Sequence, residues 1–261
     1  MDTGERLIHS GDPGWVWSHL ASEHVCRYLF ARPLVRGLRV VDVACGTGYG
    51  SRLLGQTAAS VLGIDVSPEA IEWANRRPAP RVSYRVGDVL ELPFPTASLD
   101  AFVSFETIEH VPEPGAALDE LRRVLSPGGI GVLSTPERAV YNFADHPDGG
   151  GNPFHLAELS RDELADLLRT RFAAVELFGQ VLVPEFAARS QVGPSGSPAA
   201  RRGIRGVARS LALRAMPLAL TPAFTISRPL EEAFARRSRP TFFPRPLDAR
   251  PWKYIVAVVR P

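Results

Sequence analysis

Apolar positions along the chain fall into short runs and helical faces that alternate. Residues 15 to about 32 carry Val16, Leu20, Val25, Tyr28 and Leu29 at helical spacing. The run Arg39 to Ala44 is short, apolar and β-branched, and glycines bound it at once, which predicts a buried parallel strand. A helix is expected from Tyr49 to about Gln56, and a second strand over Ser60 to Asp65. Ser67-Pro68-Glu69 opens a helix with a hydroxyl at the N-cap, proline at the first turn and an acid near the positive end. Strands are expected at Val82–Val86, Leu99–Phe105 and Ile130–Ser134. A helix over Pro114–Leu125 precedes the last of these, stopped by Ser126-Pro127-Gly128-Gly129. Ser160–Arg169 reads as a helix, Phe172–Val183 holds a sixth strand and Tyr254–Val259 a seventh.

This alternation predicts an α/β fold: a doubly wound, seven-stranded Rossmann-like sheet. No crossover helix adjoins the seventh strand, so it is expected to run antiparallel beside the sixth. Residues 1–183 and 251–261 form the core in this reading. Residues 184–250 form a partly helical insertion before the last strand, with a Gly/Pro/Ser loop at 191–198 and an amphipathic helix over 200–220.

Composition adds limits. Apolar residues make up 45% and charged residues 22%, as in a globular chain of 261 residues. No apolar run reaches 18 residues, and Met1–Ser10 is polar, so neither a spanning helix nor a secretory leader is expected. Two cysteines, Cys26 and Cys45, make no disulfide framework, which points to a reducing, cytoplasmic setting. The net charge is +2, unevenly spread. From Glu185 to Arg245 there are 11 arginines against three glutamates, a net of +8, leaving −6 elsewhere. The basic segment is expected either to be a solvated helix or to contact an anionic acceptor or membrane surface through residues 200–220. The acidic remainder argues against a nucleic-acid enzyme.

The chemistry concentrates at Val40-Val41-Asp42-Val43-Ala44-Cys45-Gly46-Thr47-Gly48-Tyr49-Gly50. A strand enters a glycine turn that opens a helix, letting backbone amides approach a ligand. Asp65 closes the next strand, where an acid can accept from ribose hydroxyls. The spacing G-x-G-x-G departs from the dinucleotide pattern, with Ser51 where a third glycine would stand. Asp42 suits a cationic ligand better than a pyrophosphate.

This run resembles the first motif of the class I S-adenosylmethionine (SAM) dependent methyltransferases. Further segments are similar to later motifs of that family: Gly63-Ile64-Asp65-Val66-Ser67, Gly87-Asp88-Val89, Ser104 to Val111, and Leu121 to Gly129. Ala44 stands where many members have glycine. The resemblance implies SAM as cofactor, bound by Asp42, Ala44, Gly46, Gly48, Asp65, Val66, Asp88, Val89 and Phe105. It implies His110 and Glu109 as catalytic residues near the acceptor.

Glu106-x-x-Glu109-His110, with a later histidine at His146 or His155, also resembles metal-assisted ribose and ubiquinone-pathway O-methyltransferases. That resemblance implies a divalent ion, Mg²⁺ or Mn²⁺, on Glu106, Glu109, His110 and His155. A metal-free base role for His110 stays open beside it. The expected function is methyl transfer to an oxygen of a small-molecule, glycan-containing or lipid-linked precursor. RNA 2′-O-methylation and non-catalytic SAM binding are the alternatives. DNA is not an expected partner, because N/D-P-P-Y is missing after the fourth strand. The first helix, with Trp15, Trp17 and His19, and the loop Asp145–Gly151 are expected near the acceptor.

Overall fold

The structure is a computed structural model that describes residues 19–145, 151–185, 188 and 244–261. In chain order the elements are α1 (His19–Leu34), β1 (Arg39–Val43), α2 (Tyr49–Gly55), β2 (Ser60–Asp65), α3 (Pro68–Asn75), β3 (Val82–Val86), β4 (Leu99–Phe105), a 3₁₀ turn (Ile108–His110), α4 (Pro114–Val124), β5 (Leu125–Pro136), α5 (Arg138–Asp145), α6 (Arg161–Arg169), β6 (Ala174–Leu182), β7 (Arg245–Pro246) and β8 (Trp252–Arg260). They build one sheet in the order β3-β2-β1-β4-β5-β8-β6-β7.

Strands β1 to β5 pair in parallel. β8 runs antiparallel between β5 and β6, so β6 points the same way as β1 to β5. The expected antiparallel last strand is therefore present. The sheet has eight strands rather than seven. The chain returning to the core lays Arg245 and Pro246 against Gly179 and Phe178. This two-residue pairing lies on the outer edge, where proline is tolerated because it interrupts no inner ladder.

Of the parallel strands, β1, β2, β4 and β5 contribute to cores on both faces of the sheet. Val41, Val43, Ile64 and Phe102 pack with Leu118, Leu121, Leu164 and Leu168 of α4 and α6. Val40, Val61, Ala101 and Val103 pack with Val25, Tyr28, Leu29, Leu53 and Leu54 of α1 and α2. The near-continuous apolar runs follow from this double burial. Two helix starts are fixed as their sequences imply. Ser67 Oγ accepts from the Ala70 N–H, and Ser160 and Glu163 form a reciprocal capping box.

Three local features differ from the sequence expectation. β5 begins at Leu125, and the expected stop, Ser126 to Gly129, forms an irregularity within it. There Leu99 pairs with Leu125, and Ala101 with Ile130. Helix α5 follows β5 where no element was expected; the Glu137 carboxylate accepts from the Val140 N–H and starts it. Glu106 adopts φ +52°, a left-handed conformation uncommon for a side-chain-bearing residue.

Among the described residues no helix is long and apolar enough to cross a membrane. The expected helix at 200–220, the loop at 191–198, His146, Trp15 and Trp17 lie outside the described residues.

Candidate active site

The carboxyl ends of the parallel strands gather the candidate residues on one edge of the sheet, the edge where doubly wound folds take ligands. On the β1–β3 side lies the glycine loop. Ala44, Gly46 and Gly48 all have positive φ, at +59°, +54° and +75°. The turn thus imposes a left-handed conformation on an alanine, where glycine would be unstrained. Gly48 has a second requirement. The Tyr84 hydroxyl donates to its carbonyl at 2.9 Å, and a Cβ added there would run into the Tyr84 ring.

Asp65 holds this loop. Its carboxylate accepts from the Gly46 N–H at 2.8 Å and the Ser67 N–H at 2.9 Å, joining the glycine turn to the start of α3. Beside it Val66 is 64% exposed, an apolar side chain presented to solvent at the end of β2. Asp88 is exposed and closes its own turn by accepting from the Leu90 N–H; Val89 is buried beneath. An acid, an exposed valine and a second acid thus line the ends of β2 and β3, where cofactor contacts are expected from the sequence.

Asp42 is placed differently from a ligand contact. It is fully buried under the loop, accepting from the Ser51 hydroxyl at 2.6 Å and the Tyr28 hydroxyl at 3.1 Å. Burial pushes its carboxyl up to about 7. It therefore braces the loop from below, tying β1, α1 and α2 together. Tyr28 also packs edge-on against Tyr49 and Phe105. The Thr47 hydroxyl is buried in the loop with no hydrogen-bond partner among the described residues; no sequence pattern singles it out.

The acceptor side lies after β4. Glu109 is fully buried; the Thr135 hydroxyl donates to its Oε2 at 3.0 Å, while Oε1 has no partner among the described residues. Burial, and then the nearby Glu106, hold its carboxyl well above the usual range. Its backbone carbonyl accepts from the Leu156 and Ala157 N–H groups, docking the segment that carries His155. The His110 and His155 rings meet edge to face, 5.0 Å between centroids.

Glu109, His110 and His155 each offer a ligand atom within 4.8 Å of the others. His110 Nδ1 lies 3.1 Å from the Phe154 carbonyl. A carbonyl only accepts, so Nδ1 donates to it, and the neutral ring then has its lone pair on Nε2. His155 Nδ1 faces Glu158 Oε1 at 2.8 Å, and its Nε2 lies 3.1 Å from Asn152 Nδ2.

Glu106, the fourth expected metal ligand, is not part of this group. Its left-handed backbone turns it toward β5, where the Ser134 hydroxyl donates to Oε1 at 2.6 Å. Cys45 is buried, and its thiol is held far above its ordinary range by burial, which gives it no nucleophilic role.

Comparison with known proteins agrees with this geometry. Residues 41–133 match the family model of a methyltransferase domain. A Mycolicibacterium smegmatis protein named "Probable S-adenosylmethionine-dependent methyltransferase" is 40% identical over 183 residues, 67% of this chain and 65% of that protein. A ubiquinone biosynthesis O-methyltransferase of Xanthomonas oryzae is 39% identical over 121 residues, covering 45% of this chain and 51% of its own. The chain thus spans between about half and two thirds of the length of these relatives. Among solved structures, a SAM-dependent methyltransferase of Thermotoga maritima shares the fold, with a TM-score of 0.60 at 16% identity over 95% of this chain and 92% of that one. The glycine loop, the acid-tipped second strand, the strand order and these relatives together make the chain a member of the class I S-adenosylmethionine-dependent methyltransferases.

Proposed function

We propose that this chain transfers the methyl group of SAM to an oxygen of a small molecule bearing neighbouring hydroxyl groups, with Glu109, His110 and His155 activating that oxygen. The observation that carries this reading is the convergence of these three side chains, within 4.8 Å, beside the strand end that follows Phe105. The O-methyltransferase relative, matched over part of its length, supports oxygen as the acceptor atom.

The donor side follows from the loop. Asp65 and Asp88 would take the ribose and adenine polar groups, Val66 would cover the adenine, and the amides of Gly46 to Gly48 would approach the donor. Transfer is an in-line displacement. A lone pair of the acceptor oxygen forms the O–C bond as the S–C bond breaks, S-adenosylhomocysteine (SAH) leaves, and the hydroxyl proton must go to a base.

The three-residue group fits a divalent ion. Glu109 brings a buried oxygen with no partner among the described residues, His110 donates from Nδ1 and would ligate through Nε2, and His155, oriented by Glu158 through Nδ1, would ligate through Nε2 in place of the Asn152 amide. One carboxylate and two imidazoles suit Mn²⁺ better than Mg²⁺, which prefers oxygen. A bound ion would lower the pKa of a coordinated hydroxyl. His110 is held by the Phe154 carbonyl and Glu109 by the Thr135 hydroxyl.

The test is SAH formation from SAM with 3,4-dihydroxybenzoate or methyl α-D-glucopyranoside as acceptor, before and after EDTA and with Mn²⁺ restored. The ion reading expects loss with EDTA, recovery with Mn²⁺, and loss of recovery in Glu109→Gln. EDTA-insensitive turnover that falls in His110→Ala would make His110 a simple base. No turnover with any hydroxylated acceptor would contradict the assignment to oxygen.

A further inference from the structure

The acceptor edge contains a charged residue that the methyl-transfer scheme leaves unused. Arg27 of α1 is wholly buried, a costly position for a guanidinium unless its donors are met. Only part of it is met. Nη1 donates to Gln180 Oε1 of β6 at 2.7 Å, and the guanidinium lies over the Tyr254 ring, 4.5 Å from the centroid. Among the described residues, Nε and Nη2 have no hydrogen-bond partner. Nη2 points toward Glu106 Oε1 at 3.8 Å, too far for a direct hydrogen bond.

The surroundings hold this arrangement rigidly. Glu23, one turn earlier on α1, accepts from the Tyr254 hydroxyl at 2.8 Å and pairs with Lys253 at 3.3 Å. The Gln180 amide donates to the Glu23 carbonyl. Glu106 is fixed by Ser134 and by its left-handed backbone. A guanidinium with unmet donors and a carboxylate acceptor thus face each other 3.8 Å apart, without a direct hydrogen bond. Glu106, Ser134, Gln180, Lys253 and Tyr254 lie at the carboxyl ends of β4, β5 and β6 or at the start of β8, on the same edge as Glu109, His110 and His155, and α1 brings Glu23 and Arg27 against them.

The chemistry of the gap selects its ligand. A carboxylate or phosphate on Arg27 would be repelled by Glu106, and an ammonium on Glu106 would be repelled by Arg27. A hydroxyl meets both demands, accepting from the guanidinium and donating to the carboxylate. Glu106 is 14% exposed in its side chain, so the gap is approached from the carboxylate side.

We propose that Arg27 and Glu106 form a hydroxyl-reading subsite for the acceptor, holding the hydroxyl next to the one that is methylated. This rests on the reading of the chain as an O-methyltransferase and narrows it to acceptors with at least two hydroxyls. Arg27 and Glu106 are specificity residues in this account, and Glu109, His110 and His155 act on the reacting oxygen.

The test uses the full chain with SAH bound, and follows the arginine Nε–H resonances by ¹⁵N NMR. Arg27→Met identifies the Arg27 signal. The expected result is that SAH alone leaves this signal near its starting position, and that 3,4-dihydroxybenzoate or methyl α-D-glucopyranoside then shifts it. Calorimetry on the same complex should show the responding probe binding roughly 10- to 100-fold more weakly in Arg27→Met, as expected for one lost hydrogen bond to a charged group, with SAH affinity unchanged. Movement of the Arg27 signal by SAH, with no further change on adding either probe, would assign the guanidinium to the donor and overturn the proposal. A signal that neither SAH nor either probe moves would overturn it as well. The wild-type resonance carries the test if Arg27→Met does not fold. Probe binding without methyl transfer would contradict the function proposed above and leave the subsite standing.

Discussion

Replacing Asp65 by alanine removes the part of the donor site on which most of the geometry depends. The carboxylate accepts two backbone N–H groups, from Gly46 at 2.8 Å and Ser67 at 2.9 Å, and the residue is buried. Hydrogen bonds to a charged acceptor contribute about 1.5–3 kcal/mol each. The two losses are unequal. The Gly46 amide lies in the part-buried loop and regains water, whereas Ser67 is buried and its amide has less access to water. The net cost to folding is therefore about 2–4 kcal/mol, below the sum of the two bonds.

Donor affinity falls for a further reason: the glycine turn loses the anchor that fixes it before the ligand arrives. SAH should bind at least ~30-fold more weakly in Asp65→Ala, equivalent to about 2 kcal/mol. Asp65→Asn, which keeps one acceptor oxygen, should fall between the wild type and alanine in both measurements. Urea unfolding gives the first quantity and isothermal calorimetry with SAH the second. An Asp65→Ala protein with wild-type urea midpoint and wild-type SAH affinity would refute the assignment of Asp65 as the anchor.

Two further predictions concern the same loop. Asp42 has its carboxyl raised by burial to about 7, against about 3.9 for an unfolded aspartate, so its folded form holds a proton that the unfolded form has lost. The contribution of Asp42 to stability should be greatest below about pH 4 and decline as pH rises toward 7; Asp42→Asn should remove roughly 2–3 kcal/mol of pH-dependent loss between pH 5 and pH 8, read as the wild-type minus mutant difference in urea unfolding. Gly48→Ala should cost more stability and more SAH affinity than Gly46→Ala, because both impose positive φ on a side chain but only Gly48 sets that side chain against the Tyr84 ring; equal losses would show that the backbone term alone decides.

The fold was legible wherever local signals and burial agreed. The runs that became β1, β2 and β4 are apolar because both of their faces are covered, and Ser67 and Ser160 announce their helices through their own side chains. β7 is two residues long and exists only through pairing with β6, which no local pattern encodes. Helix α5 depends on Glu137, which gives no sign of its capping role beyond being an acid three residues before Val140.

At the site, the spacing of Glu106, Glu109 and His110 suggests three side chains on one helical turn. The left-handed φ at Glu106 breaks that turn before it starts, so only Glu109 and His110 meet His155. The sign of a backbone angle at a non-glycine residue cannot be read from spacing. Asp42 was legible as an unusual acid in an apolar strand, but its direction was not, because its partners Tyr28 and Ser51 come from two different helices.

The claim on which the rest depends is that the turn from Ala44 to Gly48 and Asp65 hold SAM. Calorimetric titration of the wild-type chain with SAH, and separately with NAD, tests it most directly. One SAH bound per chain, with no detectable heat from NAD, is the predicted result. Absence of SAH binding, or NAD binding as tightly as SAH, would contradict it.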